Sequence, residues 1–231
     1  MTNLTLPVID LGGGVLDPAS PGISDTAAAL DEAFRRTGFC YIAGTGIDPA
    51  LVEAVFDASR RFHALPAAAK EAVAINEFHR GYIAPKSSLI RTSSVARVTQ
   101  PNLSESFMAM HEVDPDDDGF GRPLQGPNQW PENLPGFREA VTAYRDAMSA
   151  FARRFNRLLA LALGLPATFF DPHFERPTAW VRLMHYPPEP PGTPSDQYGA
   201  APHTDYGFIT FLAQDSLGGL EVRARDGHTA R

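Results

Sequence analysis

The stretch from Pro135 to Leu163 most constrains what this chain can fold into. Phe137, Val141, Tyr144, Met148, Phe151, Phe155 and Leu158 recur at alternating steps of four and three, the spacing that lines side chains along one face of an α-helix. A helix with so long an apolar face must lay that face on another layer. Gly164 and Pro166 end it, and the pattern then changes: "AWVRLMHYP", "HTDYGFITFLAQD" and "GLEVRARDG" read as strands, the first two separated by the Pro-rich loop "PPEPPGTPSDQYGAAP". Helices first and antiparallel strands later predict an α+β layout, or a β-sandwich with an N-terminal helical layer, in which the long helix braces a sheet.

Upstream, "LPVIDL" reads as a short strand and Gly12 to Gly22 as a loop. Ser24 or Asp25 is expected to cap a helix through "AAALDEAFRR", which Gly38 stops. "GFCYIAG" is a second strand, and Asp48-Pro49 opens a second helix that runs toward Pro66. From about Lys70 to Glu112 periodicity fades into loops and short strands. Residues 114–131 are a surface loop rich in Asp, Gly and Pro. Asp114, Asp116, Asp118 and Gly119 match the first positions of an EF-hand loop, but Gln125 stands where the bidentate Glu belongs and no helix flanks the segment, so a solvated acidic loop is expected.

With 231 residues, 43% hydrophobic and 20% charged, the chain can bury a sizeable core. Its 20 Lys and Arg are spread along a chain of formal net charge -7, which lacks the basic footprint of a nucleic-acid binder. No apolar run approaches membrane-spanning length, and the N-terminus lacks the basic start and apolar stretch of a signal peptide, so no membrane association and a cytoplasmic location are expected. Cys40 is the single cysteine; it forms no internal disulfide and reads as a small buried hydrophobe in "GFCYIAG".

Chemistry concentrates near the C-terminal end. On a strand, His203 and Asp205 point the same way while Thr204 points opposite, so an imidazole and a carboxylate could bind one metal without bending the backbone. The same alternation would set Gly207, Ile209 and Phe211 beyond them as an apolar wall. It also groups Tyr186 with Met184 and Arg182 on one face of the preceding strand and puts His185 on the other, in a structural role. His63 and His173 have no partner at metal spacing and read as surface or packing residues.

Together, "RLMHYPP", "HTDYGFITFLAQD" and "GGLEV" resemble the non-haem iron, 2-oxoglutarate-dependent dioxygenases of the isopenicillin N synthase-like group. "PVIDL", "AFRRTGFCYIAGTGI", "RGY" and "ESF" match that family's amino-terminal domain in order, so the resemblance covers nearly the whole chain. It implies a distorted double-stranded β-helix, or jelly-roll, with the long helix on its outside. It also implies Fe(II) held by two His and one carboxylate, with 2-oxoglutarate and O2 taking open positions. On this resemblance His203 and Asp205 are metal ligands, and Tyr186 lies near the co-substrate or substrate. A small organic molecule is the expected substrate, hydroxylated or otherwise oxidised as 2-oxoglutarate is decarboxylated. The implied division is an amino-terminal dioxygenase domain over 1–115, a connecting loop and bracing helix over 116–170, and a partial jelly-roll over 171–231.

The family's distal histidine and the Arg-x-Ser that grips 2-oxoglutarate have no counterpart in the sequence. His228 follows an Asp-Gly turn signal and is expected to be an exposed turn residue, not the third ligand. Later jelly-roll strands are therefore expected to be missing. The chain by itself is expected to be weakly active or inactive unless a second chain completes the fold. Two other readings remain open: a truncated, non-catalytic homologue serving as a binding or regulatory module, and an isopenicillin N synthase-like oxidase that does not use 2-oxoglutarate.

Overall fold

The computed structural model describes residues 5–13, 16–90, 93, 98–223 and 229–230. The elements follow in the order β1 (Val8–Asp10), α1 (Ile23–Arg36), β2 (Tyr41–Ala43), α2 (Pro49–His63), α3 (Ala67–Glu71), β3 (Gly81–Ile83), β4 (Glu105–Met110) and α4 (Phe137–Ala162). A short 3-10 helix (Asp171–Phe174), β5 (Trp180–His185), β6 (Val222–Arg223) and β7 (Thr229–Ala230) complete the series. The fold is mixed α/β and consists of two compact units that interleave along the chain. One comprises residues 1–48, 147–177 and 211–231, the other 49–146 and 178–210. No helix among the described residues is long and apolar enough to cross a membrane.

In the first unit, β1 and β2 pair in parallel. Helix α1 begins at Ile23 behind Gly22, whose φ of 80° puts it in the left-handed region, and no side chain caps it. Ser24 and Asp25, the expected caps, lie inside the first turn. The Gly22 carbonyl instead accepts the amides of Asp25 and Thr26 at 3.1 Å, and Asp25 can still favour the positive end of the helix dipole. Gly38, at φ 78°, ends the helix as the sequence predicts. Phe211 packs on Phe151 and Phe155, each pair with ring centroids 5.2 Å apart.

The second unit holds a three-stranded antiparallel sheet in the order β3-β4-β5. Strand pairing over six residues fixes what each face does: Glu105, Phe107 and Ala109 share a face with His185, Leu183 and Val181, while Ser106 and Met108 share the opposite face with Met184 and Arg182. The first face is the core. Phe62 of α2 stacks on Phe137 at 5.2 Å and meets Phe107 at 4.9 Å, with Val55, Ala58, Val73, Tyr82 and Val141 filling round them. Phe137 and Val141 are the first two positions of the apolar stripe read from the sequence, and the long helix was legible almost to the residue.

Two polar residues are built into this unit where the sequence showed only loops. Arg80 is fully buried and donates to the carbonyls of Phe78, Leu124 and His111, bracing the acidic loop from inside. Gln129 similarly donates to the carbonyls of Ala74 and Arg80.

Several strand expectations do not hold. "HTDYGFITFLAQD" forms no strand with any described residue; Gly207, at φ 99°, breaks the extended run. The apolar wall of Gly207, Ile209 and Phe211 is lost with it, since Phe211 belongs to the aromatic cluster of the first unit. Of "GLEVRARDG", the described residues contribute β6, which pairs antiparallel with β7, and residues 224–227 lie outside the described residues. His228 lies outside the described residues.

Candidate functional site

Strand β5 supplies half of the site. Its solvent-facing side carries Arg182, and Tyr186 follows directly after the strand, as the alternation predicted. Arg182 Nε donates to the fully buried Ser106 Oγ at 3.0 Å. That bond aims the guanidinium, whose two terminal nitrogens carry no hydrogen bond among the described residues. Crowding by protein lowers the Arg182 pKa, and the Tyr186 hydroxyl and the Asp205 carboxylate, both close enough to act on its charge, raise it in part. Burial pushes the Tyr186 phenol up. The Tyr186 ring lies against the backbone of Gly199, where an added Cβ would stand 2.8 Å from the ring edge. Only glycine permits that approach.

The other half is a loop. Residues 198–203 are held by the segment around Asn102: Leu103 and Ser104 amides donate to the carbonyls of Tyr198 and Gly199 at 2.9 and 3.0 Å. The Ala201 amide donates to Asn102 Oδ1 at 3.0 Å, and Ser93 Oγ donates to the Pro202 carbonyl at 2.6 Å. Then comes His203, whose Nδ1 lies 2.7 Å from the Ala201 carbonyl. A carbonyl can only accept, so Nδ1 carries the hydrogen and Nε2 of the neutral ring is left with a lone pair. That Nε2 faces Asp205 Oδ1 at 3.2 Å. The structure thus brings His203 and Asp205 together, although on a segment that forms no ladder strand among the described residues.

This pair has a definite electrostatic demand. With Nδ1 committed to the carbonyl, a neutral His203 would set a nitrogen lone pair against a carboxylate oxygen. A cation between the two groups removes the conflict.

Behind β5, on the core face, lies a buried hub that the sequence did not reveal. Glu105 accepts from Lys70 Nζ at 2.8 Å, from the Tyr82 hydroxyl, and from His185 Nδ1 at 2.8 Å. Burial alone would raise the Glu105 pKa, but these three donors hold it down to about 2. His185 is therefore structural, as the alternation implied, and its ring lies 5.2 Å from that of His63. His63 is nearly buried, with Nε2 unbonded among the described residues; desolvation lowers its pKa to about 4, so it is neutral near pH 7. The hub's contacts span 23 to 80 positions of sequence, beyond any local periodicity.

Among the described residues no group of three or more His, Cys, Asp or Glu is arranged to hold a metal. His203 and Asp205 stand as a pair.

Comparison with known proteins adds an independent line. Residues 6–133 match the family described as "non-haem dioxygenase in morphine synthesis N-terminal", and residues 177–231 match the 2OG-Fe(II) oxygenase superfamily. The chain is 37% identical over 199 residues to the 2-oxoglutarate-Fe(II) type oxidoreductase hxnY of Emericella nidulans, covering 83% of this chain and 56% of that protein. It is 31% identical over 227 residues to the kihadalactone A synthase LFS of Citrus sinensis, covering 94% of this chain and 65% of that protein. The chain thus spans less than two thirds of the length of these two relatives. Among solved structures, a full-length Neurospora crassa protein in complex with alpha-KG and thymine is similar with a TM-score of 0.81 at 31% identity, covering 98% of this chain and 70% of that one. The chain belongs to the 2OG-Fe(II) oxygenase superfamily, among the non-haem dioxygenases that carry this amino-terminal region.

Proposed function

We propose that the chain is part of an Fe(II)- and 2-oxoglutarate-dependent oxygenase that acts on a small organic substrate, with His203 and Asp205 as two of the iron ligands. The observation that carries this reading is the facing of His203 Nε2 and Asp205 Oδ1 at 3.2 Å while Nδ1 is tied to a carbonyl. A gap of that size lets both groups hold one ion. One imidazole and one carboxylate also suit iron better than a softer thiolate-seeking metal. Bound iron(II) supplies oxygen activation coupled to decarboxylation of 2-oxoglutarate.

The chain's own residues bind and orient. Ser106 aims Arg182 so that its free nitrogens can donate to a carboxylate or carbonyl oxygen in the site, and Tyr186 offers a neutral hydroxyl beside it. Gly199 lets the Tyr186 ring lie against the backbone of the loop. In this reading β5 is a strand of a distorted jelly-roll, and His203 and Asp205 are two members of the ligand set.

Calorimetric titration with Fe(II) under anaerobic conditions tests the ligand assignment. His203→Ala and Asp205→Ala should each lower affinity at least ~100-fold. Equal affinity in wild type and both variants would overturn it. Succinate release dependent on Fe(II), and lost in both variants, tests the activity.

A further inference from the structure

We propose that Asn102 is a positioning residue for His203, acting through Ala201 to hold the imidazole in the tautomer that leaves Nε2 free to bind a metal. The inference rests on the reading of His203 as a ligand, but its structural core does not.

Three observations converge. Ala201 is almost completely buried, so its amide has no water to fall back on and depends on Asn102 Oδ1 at 3.0 Å. Asn102 is itself buried and locked from both sides: its amide donates to the Ser88 carbonyl at 2.9 Å, and its carbonyl accepts the Lys86 amide at 2.8 Å. Its side chain has therefore little freedom to follow a moving loop. Finally, the Ala201 residue so fixed presents its carbonyl to His203 Nδ1 at 2.7 Å.

The result is a relay of fixed positions from side-chain oxygen to amide, across one residue, and from carbonyl to imidazole. Metal-binding histidines commonly have their second nitrogen fixed by a carbonyl or carboxylate, which sets tautomer and ring direction. Here the carbonyl sits on a segment that forms no strand among the described residues, so its rigidity comes from hydrogen bonds. Asn102 supplies it from 99 residues away in sequence. The hydroxyl of Ser93, bonded to the Pro202 carbonyl, holds the next residue along the same segment.

The test compares wild type, Asn102→Ala and Asn102→Asp in the full chain, with two readouts. The first is the tautomer of the His203 ring, read from imidazole nitrogen NMR shifts without metal, about two pH units above the ordinary imidazole pKa. The second is Fe(II) affinity by anaerobic titration. Wild type and Asn102→Asp, which keeps the acceptor, should show the Nδ1-protonated ring. Asn102→Ala should show a mixture and, where wild type binds Fe(II), an affinity about tenfold lower.

Asn102→Ala matching wild type in tautomer overturns the proposal, as does unchanged metal affinity, while the ligand assignment stands. Failure of Asn102→Asp to restore the tautomer in a chain with wild-type circular dichroism also overturns it. If wild type binds no Fe(II), the ligand assignment fails, and the tautomer comparison alone decides whether Asn102 positions the ring.

Discussion

The two halves of the candidate site are built by different means. Strand β5 is paired with β4 over six residues and has the Phe62, Phe107 and Phe137 cluster and the Glu105 hub behind it. The segment from 198 to 205 has no ladder partner among the described residues and is held by single hydrogen bonds from Ser93, Asn102, Leu103 and Ser104. The difference teaches that Arg182 and Tyr186 are placed by a cooperative core, whereas His203 and Asp205 depend on a few separable contacts. Damage to the first half should unfold the unit; damage to the second should loosen the site and leave the unit standing.

The sharpest way to break the comparison is Phe107→Ala. The side chain is fully buried in the aromatic cluster, and its loss should cost about 4 kcal/mol in a denaturant titration. A loss below about 1 kcal/mol would mean that β5 does not rest on this core. Glu105→Ala should cost about 3 kcal/mol, because Lys70 is left as a buried charge without its partner. Adding Lys70→Met should recover part of that loss.

Acid should act on the same half. His63 has a folded pKa of about 4, below the ordinary 6.5, so the unfolded chain binds more protons between those values. The stability it protects is full above pH 6.5 and is lost as pH falls toward 4, about 2 kcal/mol by pH 5. His63→Leu should flatten that part of the stability profile. An unchanged slope would show that His63 is not kept neutral in the fold. Glu105, held down to about 2, adds a separate loss below its ordinary value near 4.5.

The smallest effect is expected in the loop half. Thr99→Val removes the exposed bond from Thr99 Oγ1 to Asp196 at 2.9 Å and should cost no more than about 1 kcal/mol. Backbone amide exchange should show the contrast directly: slow in β4 and β5, fast across 203–210. Equal protection in both would remove the distinction.

The sequence made one half of this arrangement readable and hid the other. Helix α4 and strand β5 were legible because their patterns are local: the four-and-three stripe from Phe137, and the alternation that separates Arg182 and Tyr186 from His185. The His203/Asp205 pair was legible as chemistry, but the described residues form no strand there, because Gly207, at a positive φ, turns the chain. The Gly22 start of α1 escaped because Ser24 and Asp25 offered better capping chemistry than a glycine. Arg80, Glu105 and Asn102 escaped for a more general reason. Each satisfies groups far along the chain, and a lone polar residue in an aperiodic stretch gives no sign of what it will meet.

The contact between Gly199 and the Tyr186 ring has a consequence for how such sites diversify. Because the two positions share one small volume, neither can change freely: a side chain at 199 requires a smaller residue at 186, and a shrunken residue at 186 leaves a hollow that a methyl group at 199 could fill. Across homologues these positions should covary, and a library that randomises both together should yield more functional pocket shapes than two libraries that randomise each alone.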